Sequence, residues 1–331
     1  ELEKTSSKVP TLFEREATFY STIEKRPVEV ISERDMRVPM EIRPGGYFGH
    51  FDPDGGDLGR GGAPSYDKAV VNTVNLKHAI EWTKKAEWVT DDKRKAVVNA
   101  FRKTLASAMS EFRRNIDSLC MTAGNGVLGT ITSVSTGSTY DTYTCTTDGY
   151  GVRLMRHGMK VNVYNSGLTA LIDATGSECE ITTHDLANKQ IQVAKVTSSA
   201  AGCKLVASGL TGSTPTSLQG VPYHHNSASS GYWLGYNRAN YPEIRANRVN
   251  ASASLALSHA RLAVNKMGDR VGQDNQMKAV AWMHPCQVQA YEEMGVLVSL
   301  IQKSKSDEGL NLYFGDNMQL AGCPVRKHFS W

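Results

Sequence analysis

RPGGYFGHFDPDGGDLGRGGAPSYDKAVVNTVNLKHAIEW, Arg43–Trp82, is the stretch on which the reading of the fold turns. Between Arg43 and Pro64 it holds eight glycines, three aspartates and the close-set aromatics Tyr47, Phe48 and Phe51. A phosphate-binding loop of the P-loop kind needs a Gly-Lys pair before a helix, and no such pair occurs. A dinucleotide turn needs G-x-G-x-x-G opening a helix, whereas GRGGAP runs into Pro64 and an extended segment. An EF-hand calcium loop counted from Asp52 has Gly56 at its fifth position and Ala63 at its twelfth, where a ligand and a glutamate belong. The flanks are more informative. MRVPMEIRPGGYFGHF leads in as an extended run. On the far side Val70, Asn72, Val74, Leu76 and His78 alternate with Val71, Thr73, Asn75 and Lys77, the period of a strand. Two extended runs around a glycine-rich tip make a long hairpin, with a tip beyond the usual two to five residues.

Working outward, residues 1–35 mix charges without periodicity, and Pro27, Pro39 and Pro44 break up short extended pieces, which reads as an N-terminal arm. Downstream, Thr90 caps a helix, with Asp91 and Asp92 at its positive end. Val97, Phe101, Leu105, Ala108, Phe112, Ile116 and Leu119 form one stripe, and Gly124 with Asn125 supplies a stop. Such a helix is about 30 residues and ~45 Å long, a strut. Its basic residues, among them Lys93, Arg94, Arg113 and Arg114, read as a solvated face. From Gly126 the sequence turns rich in Gly, Ser and Thr, and over 158–222 the runs KVNVY, ECEITTHD, NKQIQVAKV and CKLVASGL read as the strands of a small inserted β-barrel. From 223 onward the chain returns to mixed structure. A helix places Leu255, His259, Leu262, Ala263 and Met267 on one face and stops at Gly268; MKAVAWM is a buried strand; a second helix starts at Pro285 with Val288, Tyr291, Leu297 and Ile301 inward. The fold class is α+β.

Composition narrows the function. Among 331 residues 40% are hydrophobic and 21% charged, an ordinary globular balance. The net charge of +4 is small against the dense basic signature of a dedicated nucleic-acid binder. No run of eighteen apolar residues is present, and the polar start ELEKTSSKVP is unlike a signal peptide. The first residue is not methionine, and the chain ends on a strand-like run. The six cysteines form no C-x-x-C pair and no zinc spacing, and are expected to be reduced thiols of an intracellular product. His224 and His225, read as neighbours on a strand, point to opposite faces and cannot share one ion. Cys286 follows Pro285 at a helix start, and a buried structural thiol is the commoner state of such a residue. No nucleophile elbow, catalytic constellation, metal set or cofactor fingerprint stands out, so the reading is a non-enzyme with no cofactor.

The order of these elements, with the Arg43–Thr83 phrase, YPEIRANRVNAS (Tyr241–Ser252) and VAWMHPCQVQAYEEMG (Val280–Gly295), resembles the major capsid proteins of tailed bacteriophages, which have the Hong Kong 97 fold. The resemblance runs from about Val38 to Trp331. It implies an N-terminal arm over 1–35, an extended-loop hairpin over 36–89, a spine helix and peripheral domain over 90–157, the inserted barrel over 158–222, and an axial domain with returning peripheral segments over 223–331. It further implies a virion shell protein, assembled in the host bacterial cytoplasm into hexamers and pentamers around double-stranded DNA. Its partners would be copies of itself, neighbouring capsomers, decoration or cement proteins, portal, scaffold and the packaged DNA, with no membrane. The extended loop would cover a neighbouring subunit through Arg43, Tyr47, Phe48, Phe51, Asp52, Asp54, Asp57, Arg60 and Tyr66. The family's lysine–asparagine cross-link has no match here. The alternatives are an encapsulin-like compartment and a β-domain binding module for a carbohydrate or protein partner.

Overall fold

A computed structural model describes residues 18–23, 35–50, 61–81, 100–146, 151–172, 178–196, 199–210, 212–251, 256–276, 278–302, 319–320 and 323–327. In chain order these form α1 (Thr18–Thr22), β1 (Asp35–Arg43), β2 (Ser65–Asn72), α2 (Ala100–Cys120), β3 (Val127–Thr136), β4 (Tyr140–Cys145), β5 (Lys160–Tyr164) and β6 (Cys179–Asp185). There follow β7 (Gln190–Ala194), β8 (Lys204–Ala207), α3 (Val221–His224), β9 (Tyr232–Trp233), β10 (Tyr236–Asn237), α4 (Leu257–Val271) and α5 (Gln273–Gln276). The last are β11 (Ala281–Met283), α6 (Pro285–Gln302), β12 (Gln319–Leu320) and β13 (Cys323–Lys327). The chain divides into two units: one holds Glu1–Ile23, His78–Ser227 and Ala246–Trp331, the other Glu24–Lys77 and Ala228–Arg245.

The first unit is centred on a closed antiparallel barrel in the order β3-β4-β7-β6-β5-β8. Period-two sequence fills it. Asp141, Tyr143 and Cys145 of β4, Cys179 and Ile181 of β6, and Ile191 and Val193 of β7 are buried, and the residues between them are not. Closure removes the open edges that an antiparallel sheet otherwise presents. β5 departs from alternation, because the segment after β8 covers its outer face. There Asn162 Nδ2 and the Tyr164 hydroxyl both donate to the Leu210 carbonyl, at 3.1 and 2.6 Å. The hydrophobic core runs from the barrel to Met121 just past α2, with Phe19 of α1 packed against it.

α2 ends where backbone geometry forces it. Thr122 returns its hydroxyl to the Leu119 carbonyl at 2.7 Å, and Gly124 takes φ +89°. Gly220 sits against this terminus: its N–H donates to Thr122 O at 3.1 Å, and a Cβ there would lie 2.1 Å from Cys120 O. Arg156, on the approach to β5, donates to Asn115 Oδ1 and meets Glu111 Oε1 at 3.6 Å, which ties that segment to α2. α1 docks on the same helix, with Tyr20 N donating to the buried Asp117 Oδ1 at 2.7 Å and the Phe19 ring edge-on to Trp282. β11 pairs in parallel with β13, which pairs antiparallel with β12.

Several expectations need correction. The barrel does not begin near 158: β3 and β4, from the Gly/Ser/Thr-rich stretch, are two of its strands, and β3 closes it against β8. Strand alternation does not run to His78, because pairing ends at Asp35↔Asn72 and residues 73–81 have no regular structure. α4 does not stop at Gly268 but continues to Val271, with Gly272 at φ +77° as its end. Its buried residues are Ala260 and Val264; Leu262 is exposed, and His259 uses Nδ1 to accept the Ala256 N–H at 3.3 Å. His224 closes the short helix α3 and is not on a strand; it and His225 are both exposed. In the α2 stripe Ala108 and Leu119 are buried, Phe112 and Ile116 half-buried, and Leu105 is exposed. Thr90 to Val97 lie outside the described residues, as do the side chains of Leu297 and Ile301.

Candidate functional site

The candidate site is the two-stranded ribbon β1–β2 of the second unit. Its register runs from Asp35↔Asn72 to Glu41↔Tyr66, then shifts so that Arg43 faces Ser65. Among the described residues β1 pairs with β2 alone, and an edge strand tolerates Pro39. The strands stay together past their ends, with Gly46 N donating to Gly62 O at 2.8 Å. Glycine is required here: a Cβ on Gly45 would lie 2.7 Å from Pro64 Cδ, and Gly46 has φ +104°. So two of the glycines serve the close approach of two chains at the base of the tip.

Around that clasp the rings stand in solvent. Tyr47 is 76% exposed, Phe48 96% and Tyr66, opposite Glu41, 66%. Arg43 is exposed at the end of β1. Phe51, Asp52, Asp54, Asp57 and Arg60 lie outside the described residues. Among the described residues of the ribbon only Ala69 is buried. The structure therefore brings Arg43, Tyr47, Phe48 and Tyr66 to one end of a ribbon that covers little of its own apolar surface.

The rest of this unit was not evident from sequence. β9 and β10 form a hairpin through Leu234 and Gly235, at φ +48° and +94°. Positive φ at both central residues defines a type I′ turn, whose usual signal is Asn-Gly, so Leu-Gly gave no warning. The Leu234 carbonyl accepts the Val70 N–H at 2.9 Å and so fastens β2 to the hairpin. Below it Arg238 is 3% exposed, donates Nη1 to Tyr232 O at 3.0 Å, and through its own carbonyl accepts Arg245 Nε at 2.8 Å. Burial, then Asp67 and Tyr241, push the Tyr236 hydroxyl above its ordinary pKa.

Elsewhere two buried thiols are held protonated. Burial, reinforced by Asp117, pushes the Cys120 thiol up to about 11, and burial alone takes Cys145 to about 12, so both are protonated at neutral pH. The six cysteines form no disulfide, and Cys286 is exposed, which differs from the buried state expected of it. Burial and then Arg153 hold His284 below the ordinary imidazole range, and its Nδ1 accepts the Cys286 N–H at 3.2 Å. Among the described residues no cluster of His, Cys, Asp and Glu is placed to hold a metal, and no helix is long and apolar enough to cross a membrane.

No protein-family model matches the chain, and no curated protein matches it in sequence. Among solved structures, a chain of the cyanophage A-1(L) capsid asymmetric unit superposes with a TM-score of 0.55 at 13% identity. The match covers 100% of this chain and 72% of that one. At that identity the likeness is one of fold.

Proposed function

We propose that this chain is a major capsid protein of a tailed bacteriophage, built on the Hong Kong 97 fold and structural rather than catalytic. The observation that carries the reading is the fold likeness to a phage capsid chain over the full length. The exposed end of the β1–β2 ribbon supports it, because rings left in water on one subunit are available for burial against another. In this reading residues 1–35 are the N-terminal arm and the ribbon is the extended loop. Tyr47, Phe48 and Tyr66, with Phe51, Asp52, Asp54, Asp57, Arg60 and Arg43, meet a neighbouring subunit. α2 is the described part of the spine helix, the barrel is an added domain, and residues from 223 hold the axial domain and returning peripheral segments. Heterologous contacts of this kind tile copies into hexamers and pentamers, and the shell encloses double-stranded DNA.

The test is electron microscopy of the purified full chain across salt and pH. Rings, tubes or closed shells are the expected outcome. A chain that stays monomeric under every condition overturns the proposal. Shells that enclose protein cargo and no nucleic acid in native particles would make it a compartment instead.

A further inference from the structure

We propose that the closed barrel holds an internal water molecule, hydrogen-bonded to Asp141 Oδ1 and to the Tyr143 hydroxyl. The two residues lie two apart on β4, so both side chains point to the barrel interior, and they are 1% and 0% exposed. Asp141 is half-satisfied: Oδ2 accepts the Val196 N–H at 3.1 Å, while Oδ1 has no partner. No hydrogen bond of ordinary geometry reaches the Tyr143 hydroxyl either, although the Ser199 side chain lies near enough to act on it. Ser199 is the third polar group there, and it turns its own hydroxyl to the Val196 carbonyl at 3.4 Å. Burial first, partly offset by a hydrogen-bond interaction with the Ser199 side chain and reinforced by Asp141, pushes the Tyr143 hydroxyl up to about 12.

Their hydrogen-bonding needs are complementary through one water. Asp141 Oδ1 can only accept, the tyrosine has a proton to give, and the serine oxygen has lone pairs to spare. A water that accepts from Tyr143 and donates to Asp141 Oδ1 and to Ser199 makes three bonds, the usual number for a buried water. It also links β4 to the segment that follows β7, which Asp141 already holds by the Val196 bond. Left without it, two polar atoms on adjacent inward positions would both be stripped of water uncompensated, and native interiors rarely permit that.

The experiment is a structure of the full chain at a resolution that shows ordered waters, with thermal unfolding of Tyr143→Phe beside the wild type. A density peak within hydrogen-bond reach of Asp141 Oδ1 and Tyr143 Oη is expected. The variant keeps the ring but removes one support of the water and leaves the carboxylate unpaired, so its midpoint falls, by about 3 °C for a chain of this size class. An empty position between the two groups overturns the inference. So does a midpoint that rises in Tyr143→Phe, the response expected when a buried hydroxyl that had no partner is removed.

Discussion

Phe48 is nearly as exposed as a side chain can be, at 96%, and Tyr47 and Tyr66 stand in water nearby on the same ribbon. A lone exposed ring is ordinary, but several at one ribbon end suit an interface. Phe48→Ser is therefore expected to leave the isolated subunit's unfolding unchanged to within about 0.5 kcal/mol. If the proposed assembly buries these rings, each lost ring burial costs particles about 1.5–3 kcal/mol, read as disassembly at lower denaturant. In the same reading Asp52→Asn is expected to weaken particles less, since ion pairs at a surface contribute about 0.2–1 kcal/mol. A Phe48→Ser subunit that itself unfolds early would show that the ring packs within its own chain. A second residue-scale expectation concerns Cys145. Its thiol is raised from 9.0 to about 12 by burial, so the folded state keeps a proton that the unfolded state gives up. The stabilisation from this group is complete below about pH 9 and is lost as pH rises toward about 12. Cys145→Val is expected to unfold with a shallower decline of midpoint over that window; an unchanged slope would mean that the thiol ionises normally.

Among elements, the barrel and its support on α2 dominate, and they were legible to different degrees. β5, β6, β7 and β8 lie within runs of β-branched residues bounded by turns, which the sequence displays directly. β3 and β4 do not stand out, because Leu128, Ile131, Tyr143 and Cys145 are thinly spaced among Thr, Ser and Gly that read as loop. Ring closure against β8, a non-local event, is what makes them strands. Likewise Ala260 and Val264 are small residues that no hydrophobic pattern favours over Leu262, yet they are the ones covered. The demand on Gly220 was invisible, because it depends on α2 ending against a residue one hundred positions later in the chain. Gly220→Ala would place a methyl 2.1 Å from the Cys120 carbonyl oxygen, on backbone that cannot swing aside. The expected loss is about 1–3 kcal/mol or more in denaturant unfolding, the range for overpacking. A variant as stable as the parent would mean that residues 219–221 have room to retreat.

For the whole molecule, folding energy and proposed assembly energy reside in different parts of the chain. Most of the large fully buried side chains, among them Tyr143, Ile181, Ile191 and Leu205, belong to the barrel, while among the described residues of the ribbon only Ala69 is buried. Two-stranded ribbons are marginal alone, and this one is held by its own register, the Gly46–Gly62 bond and the Leu234–Val70 bond. None of those contacts uses residues 51–60. Replacing Phe51–Arg60 with a short glycine-serine bridge is therefore expected to leave the subunit soluble and its thermal midpoint unchanged, while the yield of rings or shells falls steeply. Leu205→Ala, by contrast, is expected to cost the subunit about 2–5 kcal/mol, because it opens a cavity in the barrel. It should reduce assembly only by reducing the amount of folded chain. The two variants separate the roles when calorimetry of the subunit is set beside microscopy of the assembled product. If the ribbon replacement unfolds the subunit as Leu205→Ala does, the tip belongs to the chain's own core. The proposal that it covers a neighbour then fails, whatever particles the parent forms.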